Sequence, residues 1–357
     1  MRICCVATAL AGVEPGAVAT AIRDGWKDVR PLDAVDVVVS SDGVIVPHVG
    51  TGLAVVFQEN HPHAVAYERH GGGPHRIIWV DHDSHSALID LAEAATWNGG
   101  VDPRGSSSFL GTDLAYLKAK NVRNLHLHLP ALMCYSDLGR GFLTEISGVP
   151  IVRDVPESTL YQAIRQAREF LADMSLYVTY PHEQNLGGID GLARAWQRYG
   201  MAPDVAQATG AADAHTIQLL DHAETALNAP LLTAAGASRH GFDGIGGGLG
   251  KIFYLLRAKL GVIGEELRLP QDIADLYIYV TEKIDLHIPR GLTLMAERAE
   301  EYGAPAIAIV SNSQLVRGEL PKLGIHGLYR ISTDHISSQE IRNLSTRLAT
   351  TWGWDSS

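Results

Sequence analysis

A run of glycines stands directly before an apolar-periodic segment, KIFYLLRAKL, within residues 234–260. The glycines are Gly244, Gly246, Gly247, Gly248 and Gly250. Glycine permits positive φ and lets a ligand approach the backbone, so a glycine loop before a helix can present several N–H donors to one anion. The alternative is a connection that uses glycine only to turn. The spacing fits neither G-x-x-x-x-G-K-[ST] nor a clean G-x-G-x-x-G, so this run alone leaves phosphate binding and simple turning open.

Acidic and basic side chains follow the apolar segment 275–280, which predicts a buried strand. They are Glu282, Lys283 and Asp285, with Arg290 a few residues later. Open α/β sheets place ligands at the carboxyl ends of their strands, so these side chains are candidates for a site. Asp285 could instead cap the following helix, and Glu282 and Lys283 could form a solvated pair.

Two further aspartates lie in predicted turns. Asp42 belongs to the turn Ser41-Asp42-Gly43 after a strand, and Asp137 lies in a strand-to-helix loop. Both positions are also typical of aspartates that only stabilise a turn or a helix cap.

Histidines form another set, with 16 in the chain. The loop from Asp81 to His85 reads D-H-D-S-H after the predicted strand 76–80, and His126 and His128 alternate in another predicted strand. Asp and His are metal-ligand types, so a metal-dependent hydrolase using the loop Asp81–His85 is one alternative. No HExxH or other helical i,i+4 pair supports it.

Composition limits the classes of partner. The 357 residues are enough for two domains, and 46% hydrophobic content with 36 glycines fits an α/β protein with many tight turns. A net charge of −11 argues against nucleic acid or an anionic membrane as the main partner. No run reaches the ~18 apolar residues of a membrane span.

The N-terminal segment predicts a buried first strand, 2–7, rather than a signal peptide, because its apolar run is short and Glu14 follows at once. The only cysteines are Cys4, Cys5 and Cys134. Cys4 and Cys5 would point to opposite faces of that strand, so a disulfide framework is not expected. We expect a cytoplasmic protein.

The elements alternate along the chain. Predicted strands are 2–7, 34–40, 53–57, 64–70, 76–80, 124–129, 275–280 and 306–310. Predicted helices are 15–26, 86–97, 111–120, 139–146, 158–174, 216–227, 251–260, 292–302 and 339–352, and residues 176–215 are predicted to be rich in loops. The pattern predicts a two-domain α/β protein: a discontinuous three-layer α/β domain from both termini (1–60 and 275–357) and an inserted α/β domain (61–274).

Seven segments stand in a recognisable order along nearly the whole chain. They are AVATAIRDGW (17–26), SDG (41–43), LIDLAEAA (88–95), the segment 110–143, the glycine segment 235–251, ADLYIYVTEKIDLHIPRG (274–291) and APAIAIV (304–310). In this order they resemble the glycerate kinase family, two-domain α/β enzymes that phosphorylate D-glycerate with ATP. The resemblance puts Asp137 and Gly139 on the family's loop GGSATNDGG and residues 235–251 on its loop GAGAAGGLG.

The chain departs from the family's pattern at several places. The family's first loop resembles APDSFKGS, with an Asp, a Ser and a Lys at the substrate, whereas residues 7–14 read ATALAGVE. The loop GGSATNDGG has become PALMCYSDLG, and Leu292 follows Gly291 where the family has a lysine.

The resemblance implies roles for the remaining groups. Asp285 would accept the proton of the substrate hydroxyl, with Asp42 and Asp137 near the same small hydroxy acid. ATP would bind along Gly246, Gly247, Gly248 and Gly250, Lys283 or Arg290 would hold a phosphate or carboxylate, and Glu282 would hold Mg²⁺.

The sequence therefore predicts an ATP-dependent phosphotransferase with a nucleotide and a hydroxy acid as its small-molecule partners. Neither nucleic acid nor a membrane is expected as a partner, and assembly into a homo-oligomer is left open. The competing prediction, favoured by the lost first-loop residues, is a catalytically impaired protein of the same fold that acts as a ligand-binding or regulatory subunit.

Overall fold

A computed structural model describes residues 1–95, 105–134, 136–228, 240–316, 318–331 and 337–354. The strands, in chain order, are β1 (Arg2–Ala7), β2 (Ala34–Val39), β3 (Val65–Arg69), β4 (Arg76–Asp81), β5 (Ser86–Asp90), β6 (Asn124–His128), β7 (Ser175–Tyr180), β8 (Lys259–Val262), β9 (Leu276–Ile284), β10 (Ala306–Ser313) and β11 (Gly327–Arg330).

The α-helices are α1 (Pro15–Val29), α2 (Leu53–Asn60), α3 (Ala92–Ala95), α4 (Ser108–Ala119), α5 (Arg140–Ser147), α6 (Glu157–Phe170), α7 (Leu192–Arg198), α8 (Pro203–Asn228), α9 (Ile245–Leu255), α10 (Arg290–Glu301) and α11 (Ser338–Trp352). A short 3-10 helix spans Leu320–Leu323. In the described part of the chain, no helix combines the length and the apolar character needed to cross a bilayer.

The chain divides into two compact units. The first comprises Met1–Asn60 and Val262–Ser357, and the second comprises His61–Gly261. The first unit therefore contains both ends of the sequence, and the second is inserted between them.

The first unit is built on a parallel sheet with the strand order β11-β10-β9-β1-β2. Alternate residues of each strand enter different cores, as the two-residue period of a strand requires. Ile3 and Cys5 pack with α1 and α11 on one face, whereas Cys4 and Val6 pack with α10 on the other. The unit thus has three layers, helix, sheet and helix, and the α/β fold class predicted from the sequence is confirmed.

The cysteines behave as the strand pattern predicts. Cys4 and Cys5 point to opposite faces of β1, and both are buried free thiols, as is Cys134. Burial raises the pKa of Cys4 to about 12, so this thiol stays protonated and unreactive.

The second unit contains a mixed sheet with the strand order β3-β4-β5-β6-β7-β8. The pairs β3–β4 and β4–β5 are antiparallel, and the pairs β5–β6 and β6–β7 are parallel. Helices α4, α5 and α6 follow one another in contact, and α8 contacts α6, α7 and α9.

Three predicted elements are wrong. Residues 53–57 form a helix, α2, in which Leu53 and Phe57 are buried at i,i+4 spacing. Residues 86–90 form the strand β5 rather than the start of a helix, because this short apolar run pairs with β4 on one side and β6 on the other. The end of that predicted helix, 96–97, lies outside the described residues. The expected loop-rich region 176–215 instead contains β7, α7 and the start of α8.

Candidate active site

The first unit contains half of the predicted site residues, near the carboxyl edge of its sheet. The strand order changes direction between β1 and β9, since β2 lies on one side of β1 and β10 on the far side of β9. Such a switch point opens a crevice at the carboxyl ends of the two central strands, where open α/β sheets bind ligands. Residues just after β1 and β2 and at the end of β9 therefore face this position.

Asp42 is buried against two threonines of the central strands. The Thr281 hydroxyl donates to its Oδ2 at 2.5 Å, the Thr8 hydroxyl is 3.2 Å from the same oxygen, and the Val44 amide donates to Oδ1 at 3.1 Å. Burial raises the pKa of Asp42, and these hydrogen bonds offset that effect only in part. Asp42 therefore holds a proton more readily than an ordinary aspartate.

Glu282 lies two residues before the end of β9 and contacts the loop after β1. Its Oε2 accepts a hydrogen bond of 2.5 Å from the Ala11 amide. Ala11 has a φ of +47°, in a region that residues other than glycine rarely occupy. The glutamate therefore fixes this loop, and its predicted role as a magnesium ligand stays a prediction.

Lys283 and Asp285 form an ion pair at the end of β9, with 2.5 Å between Nζ and Oδ2. The other carboxylate oxygen of Asp285 accepts from the His287 amide at 3.0 Å. Burial raises the pKa of Asp285, but the hydrogen bonds from Lys283 and His287 outweigh it, so the pKa lies below its usual value. Asp285 is therefore a carboxylate at neutral pH, with a fixed cation beside it.

Arg290 begins α10 and contacts its own helix. Its Nη1 donates to the Thr293 hydroxyl at 3.1 Å and lies 3.4 Å from the Glu297 carboxylate. Among the described residues, Lys283 and not Arg290 is the cation paired with Asp285. The predicted role of Arg290 as a phosphate or carboxylate ligand would need its side chain to leave these partners.

The glycine run in the second unit has a conformation that only glycine adopts easily. Gly246, Gly247 and Gly248 have φ values of +58°, +68° and +101°, and all three are buried. The Gly246 amide donates to the Pro130 carbonyl at 3.0 Å, and the Gly248 amide donates to Gly244 at 3.2 Å. These glycines form a left-handed kink inside the first part of α9, and phosphate binding by this run stays a prediction.

Gly250 is required for a different reason, which is close packing of the backbone. An ideal Cβ on this residue would lie 2.0 Å from the carbonyl oxygen of Phe242, so any side chain would force two backbone segments apart. Packing therefore accounts for this glycine without a ligand.

Asp137 organises the starts of two helices in the second unit. Its carboxylate accepts hydrogen bonds from the Ser107 amide and hydroxyl, at 2.9 and 2.7 Å, before α4. It also accepts from the amides of Gly139 and Gly141, at 3.0 and 2.9 Å, at the start of α5. Each oxygen takes at least two hydrogen bonds, so a capping role is what the geometry supports directly.

Comparison with known proteins identifies the fold. No protein-family model and no curated protein sequence matches the chain. Among solved structures, a putative glycerate kinase 2 from Salmonella typhimurium LT2 matches with a TM-score of 0.69 and 17% sequence identity, covering 99% of this chain and 98% of that chain.

This chain has a glycerate kinase-like fold. The resemblance that the ordered motifs indicate is therefore confirmed at the level of the fold. An identity of 17% says nothing about substrate or activity, so those conclusions depend on the residues themselves.

The histidine-rich segments form local hydrogen-bonded groups. The Asp81 carboxylate accepts from the Ser84 hydroxyl at 2.7 Å and contacts His61 at 3.0 Å, and these contacts lower its pKa to about 2 despite burial. His126 and His128 share the Thr179 hydroxyl at 2.8 and 2.9 Å. Burial lowers the pKa of His126 to about 3, which keeps that ring neutral.

These groups weaken the metal-hydrolase alternative. Among the described residues, the His, Cys, Asp and Glu groups close enough to hold one metal ion are Glu68, His70 and His75. The loop Asp81–His85 is not part of that group. The structure therefore does not support a metal-dependent hydrolase site in this loop.

Sequence reasoning missed a buried ionic cluster beside the glycine run. The Lys251 ammonium lies 2.5 Å from Glu224, 3.0 Å from Asp221 and 3.3 Å from Asp243, and the lysine is fully buried. Burial lowers the pKa of Lys251, but the effect of the three acids is upward and larger, so the pKa lies above its usual value. This cluster ties α8 to α9, and a lysine inside the apolar run KIFYLL was the available signal.

The threonines that hold Asp42 were also missed. Ala7 of β1 pairs in register with Val280 of β9, so the next residues, Thr8 and Thr281, are brought side by side. The strand register could have indicated this pair, but the sequence alone does not reveal that β1 and β9 are neighbours.

Proposed function

We propose that this chain is a glycerate kinase-type phosphotransferase that transfers a phosphoryl group from ATP to D-glycerate or a related small hydroxy acid. The observation that carries the proposal is the Lys283–Asp285 pair at the carboxyl end of β9, next to the switch point of the first unit's sheet. The solved structure with the same fold is named as a putative glycerate kinase 2, and this agrees with the reaction class.

Asp285 is the proposed acceptor of the substrate's hydroxyl proton. Phosphoryl transfer needs mainly positioning and charge neutralisation, so a carboxylate of lowered pKa serves by orienting the hydroxyl rather than by strong basicity. The Asp285 side chain is 26% exposed, which leaves it accessible to a small substrate.

Lys283 is the proposed replacement for the cation missing from the first loop. An ammonium group has three donors, so Lys283 can keep one on Asp285 and offer another to the substrate carboxylate. Its side chain is 45% exposed, and such a charged hydrogen bond contributes about 1.5–3 kcal/mol.

Magnesium at this edge would need one carboxylate together with water and the ATP phosphates, because the three acids here are not among the described groups close enough to share one ion. Asp42 follows β2, and Glu282 and Asp285 lie at the end of β9, on the other side of β1; all three offer the carboxylate oxygens that Mg²⁺ prefers. Bound Mg²⁺ would neutralise charge on the ATP phosphates. Of the three, Glu282 is the candidate ligand, since Asp42 is buried between threonines and Asp285 is paired with Lys283.

The nucleotide side of the proposal rests on the second unit. The resemblance puts the phosphates at the run from Gly246 to Gly250 and puts Asp137 on a substrate loop. Successive backbone amides in a left-handed run can form a concave anion site, which supports the assignment. The Gly246 and Gly248 amides already donate to Pro130 and Gly244, so these two amides would not serve this role without leaving those partners.

The second candidate function is a ligand-binding or regulatory protein that keeps the fold without turnover. Two observations favour it: residues 7–14 provide no Lys, Asp or Ser, and the Asp137 carboxylate is fully engaged in capping. Such a protein would bind the hydroxy acid or the nucleotide and release no ADP.

Release of ADP from ATP–Mg by the purified chain, with D-glycerate as acceptor and propionate as a control without hydroxyl groups, separates the two functions. The phosphotransferase predicts release that depends on glycerate. Thermal stabilisation by glycerate or ATP without any ADP would support the ligand-binding alternative.

A further inference from the structure

The hairpin β3–β4 brings three metal-ligand side chains to one face of its tip. Arg69 and Arg76 are the last paired residues, so His70 and His75 stand opposite each other where the strands end. Glu68 is two residues before His70 and therefore on the same face of the strand. Glu68, His70 and His75 each offer one ligand atom, and these atoms lie within 4.8 Å of one another.

The distances fit ligands of one small cation. The Nε2 atoms of His70 and His75 lie 3.2 and 3.8 Å from the same oxygen, Oε2 of Glu68. Ligands about 2.0–2.1 Å from a tetrahedral zinc ion are separated by about 3.3 Å, so only small side-chain rotations are needed. The two imidazole rings are also stacked, with centroids 4.6 Å apart and planes at 27°.

The base of the hairpin is rigid, so the ligands are held in place before a metal arrives. Arg76 forms a bidentate contact with Asp113 of α4, and Arg69 reaches the same carboxylate at 3.1 Å. Arg76 also donates to the Pro74 carbonyl at 2.8 Å. In addition, an ideal Cβ on Gly73 would overlap the Phe109 ring, so the turn packs tightly on α4.

We propose that Glu68, His70 and His75 form a binding site for a divalent transition metal ion, with zinc as the best fit. Two imidazoles and one carboxylate are a ligand set that zinc uses, and imidazole favours zinc over the oxygen-seeking magnesium and calcium ions. The three side chains are 55–67% exposed, so water completes the coordination and no buried charge opposes binding. The site lies on the second unit and is independent of the proposed phosphotransferase activity.

Isothermal titration calorimetry of ZnCl₂ binding to the full chain tests the site. We expect the parent protein to show one zinc site stronger than its background, and the variant H70A/H75A to lose it. The matched control is H63A/H215A, which removes two other exposed histidines and should keep the site. Identical isotherms for both double variants and the parent would overturn the proposal and leave an ordinary Glu–His ion pair.

The carboxylate ligand has its own test. Glu68→Gln keeps the size of the side chain and both imidazoles, and we expect it to weaken zinc binding by about tenfold or more, since even outer-shell changes cost this much. MgCl₂ should give no heat at this site in any variant. Zinc should also slow hydrogen exchange at Gly71 to Gly73, and unchanged exchange there would place the zinc elsewhere.

Discussion

Asp285 is the residue on which the proposed chemistry depends most. It is ionised at neutral pH because hydrogen bonds from Lys283 and the His287 amide lower its pKa. Asp285→Asn keeps the shape and removes the proton acceptor, so we expect turnover to fall by roughly 10²–10⁴-fold with little change in melting temperature. Glu301→Gln, an exposed acid of α10, is the control and should retain full turnover. Equal rates for the two variants would remove Asp285 from the mechanism.

Asp42 should make the native state less stable as the pH rises. Burial raises its pKa above 3.8, so the native state holds this proton more tightly than the unfolded chain. The stability that protonation confers is complete below about pH 3.8 and is lost as the pH rises through the folded-state pKa. The asparagine of Asp42→Asn cannot ionise. As the pH rises through the folded-state pKa of Asp42, the free energy of unfolding of this variant, measured by urea titration, should therefore increase relative to that of the parent.

Asp81 provides a control of opposite sign for the same titrations. Hydrogen bonds from Ser84 and His61 lower its pKa to about 2, so it contributes stability above pH 3.8 that is lost as the pH falls toward 2. The difference in free energy of unfolding between Asp81→Asn and the parent should therefore become smaller at acid pH. If the gap between Asp42→Asn and the parent stays constant with pH, the burial of Asp42 has no effect on its ionisation.

At the level of elements, Asp113 connects the β3–β4 hairpin to α4. It is fully buried and accepts from Arg69 and from the equally buried Arg76. Asp113→Ala leaves two arginines without their acid, and we expect a loss of about 3–5 kcal/mol in the free energy of unfolding. Asp28→Ala breaks an exposed pair with Arg342 and should cost far less, because solvent screens that pair. Similar losses in chemical denaturation would contradict this account of the hairpin.

A second pair of variants can measure how strongly the fold needs glycine at the positive φ of the glycine run. Gly303→Ala meets open space at a φ of +65°, so it should cost only the conformational strain of about 1–2 kcal/mol. Gly248 has a φ of +101°, and its ideal Cβ lies 3.1 Å from the Leu138 backbone. Gly248→Ala should therefore be the more destabilising by about 1–3 kcal/mol in the same measurement. Equal losses of stability for the two variants would show that a Cβ at Gly248 does not clash with Leu138.

Element type was predictable where an apolar run was long or strictly patterned. Residues 2–7 were predicted correctly as β1, and the predicted strand 275–280 overlaps β9 at residues 276–280. The predictions failed for the short apolar run 86–90, where pairing on both edges decides the structure and local pattern does not. In 176–215, helices such as α7 depend on packing against α8, which no local period reveals.

The site was predictable only in part. Residues that follow a strand, such as Asp285 and Asp42, could be placed at a sheet edge from sequence alone. Their partners could not: Thr8 and Thr281 meet because β1 and β9 are neighbours although they are far apart in the sequence, and Lys251 pairs with Glu224 of α8. Contacts between distant parts of the chain thus determine the surroundings of Asp42 and Lys251.

For the molecule as a whole, the fold is similar to that of a solved structure although few residues are identical. The fold matches a glycerate kinase-like structure over 99% of the chain, while sequence identity to that structure is 17%. Residues 7–14 contain no Lys, Asp or Ser, and Lys283 is the proposed cation beside Asp285. We therefore expect a slower kinase than one with the full set, or one that prefers another hydroxy acid.

The rate of ADP formation from ATP–Mg at saturating D-glycerate tests the central claim most directly. The purified full chain should form ADP in proportion to enzyme and only when the acid carries a hydroxyl group, with phosphoglycerate as the co-product. No ADP above the rate with propionate, from protein shown to be folded and across a panel of small hydroxy acids, would contradict the proposed phosphotransferase.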